Sequence, residues 1–197
     1  MTLILPMIGS GYIADSAASV VLNEFNQSTG TNASTYTESV DAGDGGLVVL
    51  AFASREGNGS NALDIVSVTI DGITASFLSS PASTAGNALA GLAYVDGVSS
   101  GSVTAVITYS DDALELVWAT YTITNAVSST PHSTGVTTGG PAGSDTVTIN
   151  IPEDGVQIAT CQWSFSEAGD NITWINATKD WARGSQNMQV SSASDQG

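Results

Sequence analysis

Short runs of apolar and β-branched residues recur along the chain, separated by residues that favour turns. Residues 145–151 alternate apolar and polar positions, which is typical of a strand with one buried face. Residues 47–53 are apolar at every position, which predicts a central strand buried on both faces or one face packed against a partner. Asp71-Gly72 lies between two runs and predicts a type I′ hairpin turn, because that turn needs positive φ at both central residues.

The whole pattern predicts about ten to twelve short strands and no substantial helix. Such a chain is typical of an all-β, antiparallel β-sandwich of jelly-roll or Greek-key type. Residues 128–144, rich in Ser, Thr, Gly and Pro, predict a long surface loop, and only residues 180–183 have the pattern of a helical turn. The predicted strands are 19–25, 35–40, 47–53, 64–70, 73–78, 88–95, 102–109, 114–124, 145–151, 156–165, 171–176 and one that begins at 188.

The first fifteen residues differ from the rest, which predicts an N-terminal arm (1–15) before a single domain (16–197). Gly9-Ser10-Gly11 reads as a flexible joint after an apolar run. Two interpretations stay open: an edge strand of the main domain, or an arm that docks on a neighbouring subunit. The side chains that would be buried by docking are Leu3, Ile4, Leu5, Met7 and Ile8.

Composition excludes several classes of protein. The 197 residues include 3 Lys+Arg, 19 Asp+Glu, one Cys and one His, for a formal net charge of −16. Three cations cannot form the basic face of a nucleic-acid-binding protein, and one Cys with one His cannot form a structural zinc site or an intrachain disulfide. No run has the roughly 20 apolar residues of a membrane span, and the N-terminus lacks the basic region of a signal peptide. We therefore expect synthesis in the cytoplasm and no contact with nucleic acid or membrane.

Candidate catalytic residues are few, and each has a simpler structural explanation. Cys161 lies in an apolar run and His132 in the loosest loop, so a nucleophilic dyad is a weak hypothesis. A glycosidase typically needs a pair of carboxylates to catalyse hydrolysis. In a chain this acidic, however, neighbouring acidic residues also arise by chance. The acidic clusters are Asp111, Asp112 and Glu115, and Glu153 with Asp154. We expect no enzymatic activity and no cofactor.

Two binding hypotheses remain. Asp41 and Asp44 are weak candidates for a calcium loop, against the simpler interpretation of a polar turn that leads into the next strand. Trp174 and Trp181 lie in the polar C-terminal region and are candidates for stacking against a glycan, whereas Trp118 lies in a strong strand run and is expected in the core.

The order of elements resembles that of β-sandwich structural proteins of tailed bacteriophage virions. The resemblance rests on residues 45–55, 67–75, 102–108 and 116–123, followed by 129–131. It implies a non-enzymatic virion component, such as a head decoration or cement protein, a head-fibre protein or a tail module, with no catalytic residues to transfer.

Together these observations predict a capsid decoration or cement protein on the outer surface of the particle. The alternative is a tail or fibre module that binds a receptor or carbohydrate. The expected partners are the major capsid protein or other virion proteins. A homo-oligomer, with a trimer favoured, is expected because the segment from Met188 would present an open strand edge.

Overall fold

The computed structural model describes residues 7–10, 18–56, 63–79, 88–126, 128–131, 133–135, 155–163, 178–185 and 188–196. These residues form antiparallel strands and turns, with no helix among them. The strands are β1 (Met7–Ser10), β2 (Ser19–Asp41), β3 (Gly46–Glu56), β4 (Ile65–Ile70), β5 (Ile73–Thr74), β6 (Ser76–Ser79), β7 (Ala88–Val98), β8 (Ser102–Thr124), β9 (Ser133–Gly135), β10 (Val156–Trp163), β11 (Thr178–Ser185) and β12 (Met188–Gln196).

The larger sheet has seven strands in the order β5-β4-β8-β3-β7-β6, with β2 also paired to β8. Strands β5 and β6 stand at opposite ends of this order but are separated in the chain only by Ala75, so the sheet is a nearly closed barrel. The backbone N–H of Ala75 donates to Val68 O at 3.0 Å and fixes this junction. The all-β, antiparallel class is confirmed for the described residues, whereas a sandwich of ten to twelve strands is not confirmed.

Two long strands hold the barrel together. Strands β2 and β8 have 23 residues each and pair along almost their whole length, although the sequence pattern predicted two shorter strands in each region. The β2–β8 register shifts between Thr29 and Thr35, and Asn32 in this segment has a φ of 39°. The polar residues that suggested turns therefore mark an irregularity within continuous strands, where bulges increase local twist.

Apolar side chains fill the two faces of the larger sheet separately. Leu50, Phe52 and Trp118 belong to the cluster inside the barrel. The opposite faces of the same strands form a second cluster, which β10 covers with Val156 and Ile158. All residues of β3 from Leu47 to Ser54 are buried, so the predicted two-sided burial is confirmed.

One end of the barrel is closed by side chains that bind main-chain carbonyls. Thr120 Oγ1 donates to Asp41 O at 2.6 Å, and Thr122 Oγ1 donates to Ala42 O at 2.8 Å. Both threonines are buried and lie on the same face of β8 as Trp118, since alternate residues of a strand share a face. Glu24 Oε2 accepts the backbone N–H of Asp41 at 2.8 Å. The end of β2 is therefore fixed across the inner face of β8.

Several sequence predictions are corrected by the described strands. Residues 180–183 belong to β11 and are not a helical turn; a register shift between Lys179 and Trp181 interrupts the pairing with β12. Gly9 and Ser10 lie in β1 and not in a flexible joint. Strand β12 pairs with β10 and β11, so the prediction of an open edge at Met188 is wrong: β11 runs antiparallel to β12 and covers that edge. The predicted strands 145–151 and 171–176 lie outside the described residues.

The Asp71-Gly72 hairpin prediction is confirmed, because both residues have positive φ (55° and 73°) between β4 and β5.

Substituting Gly91 tests how tightly the barrel interior is packed. Gly91 is opposite Phe52 on the neighbouring strand, and a Cβ added there would lie 2.5 Å from the Phe52 ring. We predict that Gly91→Ala lowers the free energy of unfolding by about 1–3 kcal/mol, the usual cost of overpacking. Urea denaturation of the wild type and the variant measures this difference in the free energy of unfolding. The cost of Gly91→Ala should shrink in a Phe52→Leu background, and an equal cost in both backgrounds would contradict the contact.

Substituting Ile158 tests whether β10 covers the outer face of the barrel. Ile158 is 1% exposed and packs in the outer cluster. We predict that Ile158→Ala lowers the free energy of unfolding by about 2–5 kcal/mol through lost burial and the remaining cavity. Val66→Ala is the matched control, because Val66 is 59% exposed, and should change stability by at most about 0.5 kcal/mol. Equal effects of the two variants would exclude this packing.

Candidate functional site

The acidic turns at one end of the barrel form the candidate site. The turn after β2, the β4–β5 turn and the β7–β8 turn meet there. Ala42 N–H donates to Gly101 O and Gly101 N–H donates to Gly43 O, both at 2.8 Å. A Cβ added to Gly45 would lie 2.5 Å from Val98 O, so only glycine permits this close approach. These contacts join the turns after β2 and β7 into one rigid surface.

Asp71 connects the third turn to this surface. Its Oδ2 accepts the backbone N–H of Ser99 at 3.0 Å, and the Ser99 hydroxyl also bonds the carboxylate. These hydrogen bonds, chiefly the one from the Ser99 hydroxyl and then the one from its backbone N–H, stabilise the charged form of Asp71. They therefore hold the pKa of Asp71 below its usual value. Asp71 therefore keeps its negative charge at neutral pH.

The two predicted calcium ligands lie at the same end. Asp41 and Asp44 are both exposed, and Asp41 Oδ1 accepts the N–H of Gly43 at 2.8 Å, which closes the turn locally. Within the described ranges, no three or more His, Cys, Asp or Glu side chains come together to hold a metal ion. Asp41 and Asp44 thus occupy a polar turn before β3, and calcium binding stays a prediction.

The opposite end of β3 holds a positive charge that is largely withdrawn from the surface. Arg55 Nε lies 3.6 Å from Glu115 Oε2, with 17% of the Arg55 side chain and 5% of the Glu115 side chain exposed. Arg55 is the single cation whose side chain the structure describes. The described surface is therefore dominated by carboxylates.

A buried polar group inside the barrel lies near this ion pair. The hydroxyls of Ser54 and Tyr109 are hydrogen-bonded, and Tyr36 OH donates to Ala113 O at 2.7 Å. Burial raises the pKa of Tyr109, so its phenol stays neutral at physiological pH. The rings of Tyr36 and Tyr109 pack edge to face with centroids 6.2 Å apart. This network satisfies polar groups in the core.

The structure separates the carboxylates that sequence reasoning grouped together. Glu115 is buried and paired with Arg55, whereas Asp111 and Asp112 are partly exposed at an irregular part of the strand. Asp111 Oδ1 accepts the N–H of Asp112 at 2.8 Å. Glu153 and Asp154 lie outside the described residues.

The remaining candidates are only partly described. Trp118 lies in the core inside the barrel, as predicted, and Tyr121 lies in the outer core. Trp181 lies in β11, one of the two edge strands of the five-stranded sheet, but only its backbone is described. Cys161 lies in β10, again described by its backbone alone. Trp174 and His132 lie outside the described residues.

Part of the predicted docking arm lies in a sheet. Met7 and Ile8 belong to β1, which pairs with β10 on one side and β9 on the other. Leu3, Ile4 and Leu5 lie outside the described residues, so docking stays a prediction for them.

Sequence reasoning missed Thr120, Thr122 and the Arg55–Glu115 pair. The position of the two threonines inside the long apolar run of β8 could have revealed them, because a buried hydroxyl needs a hydrogen-bond partner. The ion pair joins positions 60 residues apart in the sequence, and no local pattern predicts it.

No protein-family model, curated protein or solved structure matches this chain. Within the part of the chain that the structure describes, no helix has the length and apolarity needed to cross a membrane.

Removing Arg55 tests the buried ion pair. We predict that Arg55→Met lowers the free energy of unfolding by roughly 1–3 kcal/mol, because a buried carboxylate loses its nearby positive charge. Adding Glu115→Gln to this variant should restore part of the loss, since it removes the uncompensated charge. Chemical denaturation of both single variants and the double variant measures the coupling. Strictly additive effects would contradict a direct interaction.

Proposed function

We propose that the chain is a non-enzymatic structural protein on the outer surface of a bacteriophage particle, and specifically a capsid decoration or cement protein. The observation that carries this proposal is the acidic surface of the described residues, on which Arg55 is withdrawn into an ion pair. Such a surface suits a protein that binds other proteins and stays in solution before assembly. The resemblance of residues 45–55, 67–75, 102–108 and 116–123 to phage β-sandwich proteins adds to this argument.

Charge favours the exterior of the particle over its interior. A protein with a net charge of −16 is repelled by packaged DNA and by anionic membranes. The same charge attracts a capsid surface that presents basic residues. We therefore propose the major capsid protein as the partner, with no contact to nucleic acid or membrane.

The finer fold is part of the proposal. The five-stranded sheet covers one face of the seven-stranded sheet through β10, which supports a two-layer arrangement of the sandwich type. Jelly-roll or Greek-key connections would complete it. In this arrangement the acidic turns lie at one end of the barrel, where they are available to a partner.

A homo-oligomer, with a trimer favoured, is proposed for the assembled state. Closed symmetry is the usual arrangement of soluble oligomers, and a trimer matches the three-fold positions of a capsid. Repulsion between acidic copies opposes association in solution and is screened within about 10 Å at 0.1 M salt. The particle surface, which holds copies close together, would promote the contact.

The alternative is a tail or fibre module that binds a carbohydrate or receptor. The position of Trp181 in β11 favours it, because β11 is an edge strand of the five-stranded sheet and one of its sides is covered by no described strand. Trp174 is the second candidate for sugar stacking. Binding on a glycan array that Trp181→Ala or Trp174→Ala abolishes would favour this alternative.

Immunogold labelling of purified particles tests the proposed location. Antibodies against this chain should label the head surface of intact particles at regular positions, and mass spectrometry of the same particles should detect the chain. Labelling confined to the tail tip would favour the alternative. Absence of the chain from particles purified out of a lysate that contains it would exclude both.

Deleting residues 2–5 tests the docking arm separately from the fold. This deletion removes Leu3, Ile4 and Leu5 but keeps β1, whose backbone pairs with β9 and β10. We predict loss of attachment to particles that lack the protein, with the melting temperature changed by less than about 3 °C, below the shift expected from 1 kcal/mol at this size. Cosedimentation measures attachment.

The control for this experiment deletes residues 2–10, which also removes β1 and should lower the melting temperature. Attachment that survives the 2–5 deletion would overturn the role of these three side chains.

A further inference from the structure

Three of the chain's four Asp-Gly pairs lie wholly within the described residues, two in turns and one in β7, and their surroundings differ in ways that change their reactivity. Among dipeptides that begin with Asp, Asp-Gly forms isoaspartate most readily, because glycine leaves its amide nitrogen unhindered beside the aspartyl carboxyl group. Reaction requires that this nitrogen reach the Asp Cγ. The pairs are Asp44-Gly45, Asp71-Gly72 and Asp96-Gly97.

Asp96-Gly97 forms a β-bulge in β7. Gly46 pairs with Val98 and Val48 pairs with Val95, so two residues of β7 lie opposite one residue of β3. Gly97 has a φ of 80°, and its N–H donates to Asp96 Oδ1 at 2.8 Å. The bulge therefore places the amide nitrogen against the carboxyl group of the preceding residue, and both residues are exposed to water.

The other two pairs are held in unreactive arrangements. Gly45 is buried, and its N–H donates to Ala42 O at 2.9 Å. The carboxylate of Asp71 is held by the Ser99 N–H at 3.0 Å. The lowered pKa of Asp71, caused by its hydrogen bonds to Ser99, also reduces the fraction of the protonated acid that loses water readily. Each pair must break a hydrogen bond to another residue before it can react.

We propose that Asp96 is a site of spontaneous isoaspartate formation in the folded protein, favoured over Asp44 and Asp71. The Gly97 nitrogen attacks Asp96 Cγ, an N–C bond forms, and the amide proton leaves with the carboxyl hydroxyl as one water molecule. Hydrolysis of the succinimide adds water back and breaks one of its two N–C bonds. Breaking the bond to the original main-chain carbonyl gives isoaspartate, whose main chain runs through the β-carbon.

The site has room for the product. A Cβ built on Gly97 meets no heavy atom within 4 Å, so the backbone at the bulge is open to solvent. The isoaspartyl main chain is one carbon longer, and a bulge already accommodates an extra residue. Modified protein should therefore stay folded and accumulate with age.

Asp111-Asp112 has the same local hydrogen bond as Asp96-Gly97 but no glycine, so it distinguishes the effect of the hydrogen bond from that of the glycine. Asp111 Oδ1 accepts the N–H of Asp112 at 2.8 Å, which is the same hydrogen bond as at Asp96. The side chain of Asp112 hinders attack by its nitrogen, whereas Gly97 has no side chain. We expect little isoaspartate at Asp111, so the site depends on both the hydrogen bond and the glycine.

Ageing of the purified folded protein at neutral pH and 37 °C tests the proposal. Chymotryptic peptides can be analysed by liquid chromatography and electron-transfer fragmentation, which distinguishes isoaspartate from aspartate at each position. We expect isoaspartate at Asp96 to form about three- to tenfold faster than at Asp44 or Asp71, the factor that one additional broken hydrogen bond supplies. Deamidation at Asn58-Gly59 changes the peptide mass, whereas isomerisation leaves it unchanged, so the two reactions do not overlap.

Two controls keep the result decisive. Asp96→Glu should abolish product at this position, because the five-membered ring cannot form, while leaving the other positions unchanged. In concentrated urea the rates at the three Asp-Gly pairs should converge, because the fold no longer distinguishes them. Equal rates in the folded protein, or faster reaction at Asp44 or Asp71, would overturn the proposal. The test does not depend on the proposed role on a phage particle.

Discussion

The fold depends on strands that are apolar on both faces. Residues of β3 from Leu47 to Ser54 and of β8 from Glu115 to Ile123 are buried without interruption. A sheet that contained such strands with one face in water would expose a large apolar area, at roughly 25 cal/mol per Å². Rolling the seven-stranded sheet covers one face, and β10 covers the other. Both the barrel-like curvature and the position of the second sheet follow from this requirement.

The curvature of the larger sheet brings main-chain carbonyls to buried positions, where threonine hydroxyls bind them. The end of β2 crosses the inner face of β8, and the carbonyls of Asp41 and Ala42 need hydrogen-bond donors there. Thr120 and Thr122 supply these donors and are themselves satisfied, while their β-branched shape suits a strand. The turn that follows can then carry exposed carboxylates, because its backbone is already fixed. The acidic surface is thus built on hydrogen bonds buried beneath it.

Local patterns predicted the all-β class, the Asp71-Gly72 turn and the two-sided burial of β3, because each depends on neighbouring residues. Continuity of β2 and β8 was not predictable: polar residues such as Asp111 and Asp112 indicate a turn when read locally, yet pairing with a second long strand keeps β8 continuous. The edges of the five-stranded sheet could not be predicted from the sequence either, because they depend on the pairing of β11 with β12. For the candidate site, sequence reasoning identified Asp41 and Asp44 but not the Ser99 contact to Asp71, which joins residues from different turns.

Electrostatics connects these features to the behaviour of the molecule. A net charge of −16 destabilises a compact chain by self-repulsion, so the positions of the carboxylates matter. Asp44, in the turn before β3, and Asp96, in the bulge of β7, are exposed and screened by water, whereas the buried Glu115 lies beside Arg55. Folding therefore withdraws Arg55 together with Glu115 from the described surface, and the carboxylates that stay exposed there include Asp41, Asp44 and Asp96. The exposed carboxylates of two copies repel each other at close range, and salt screens this repulsion.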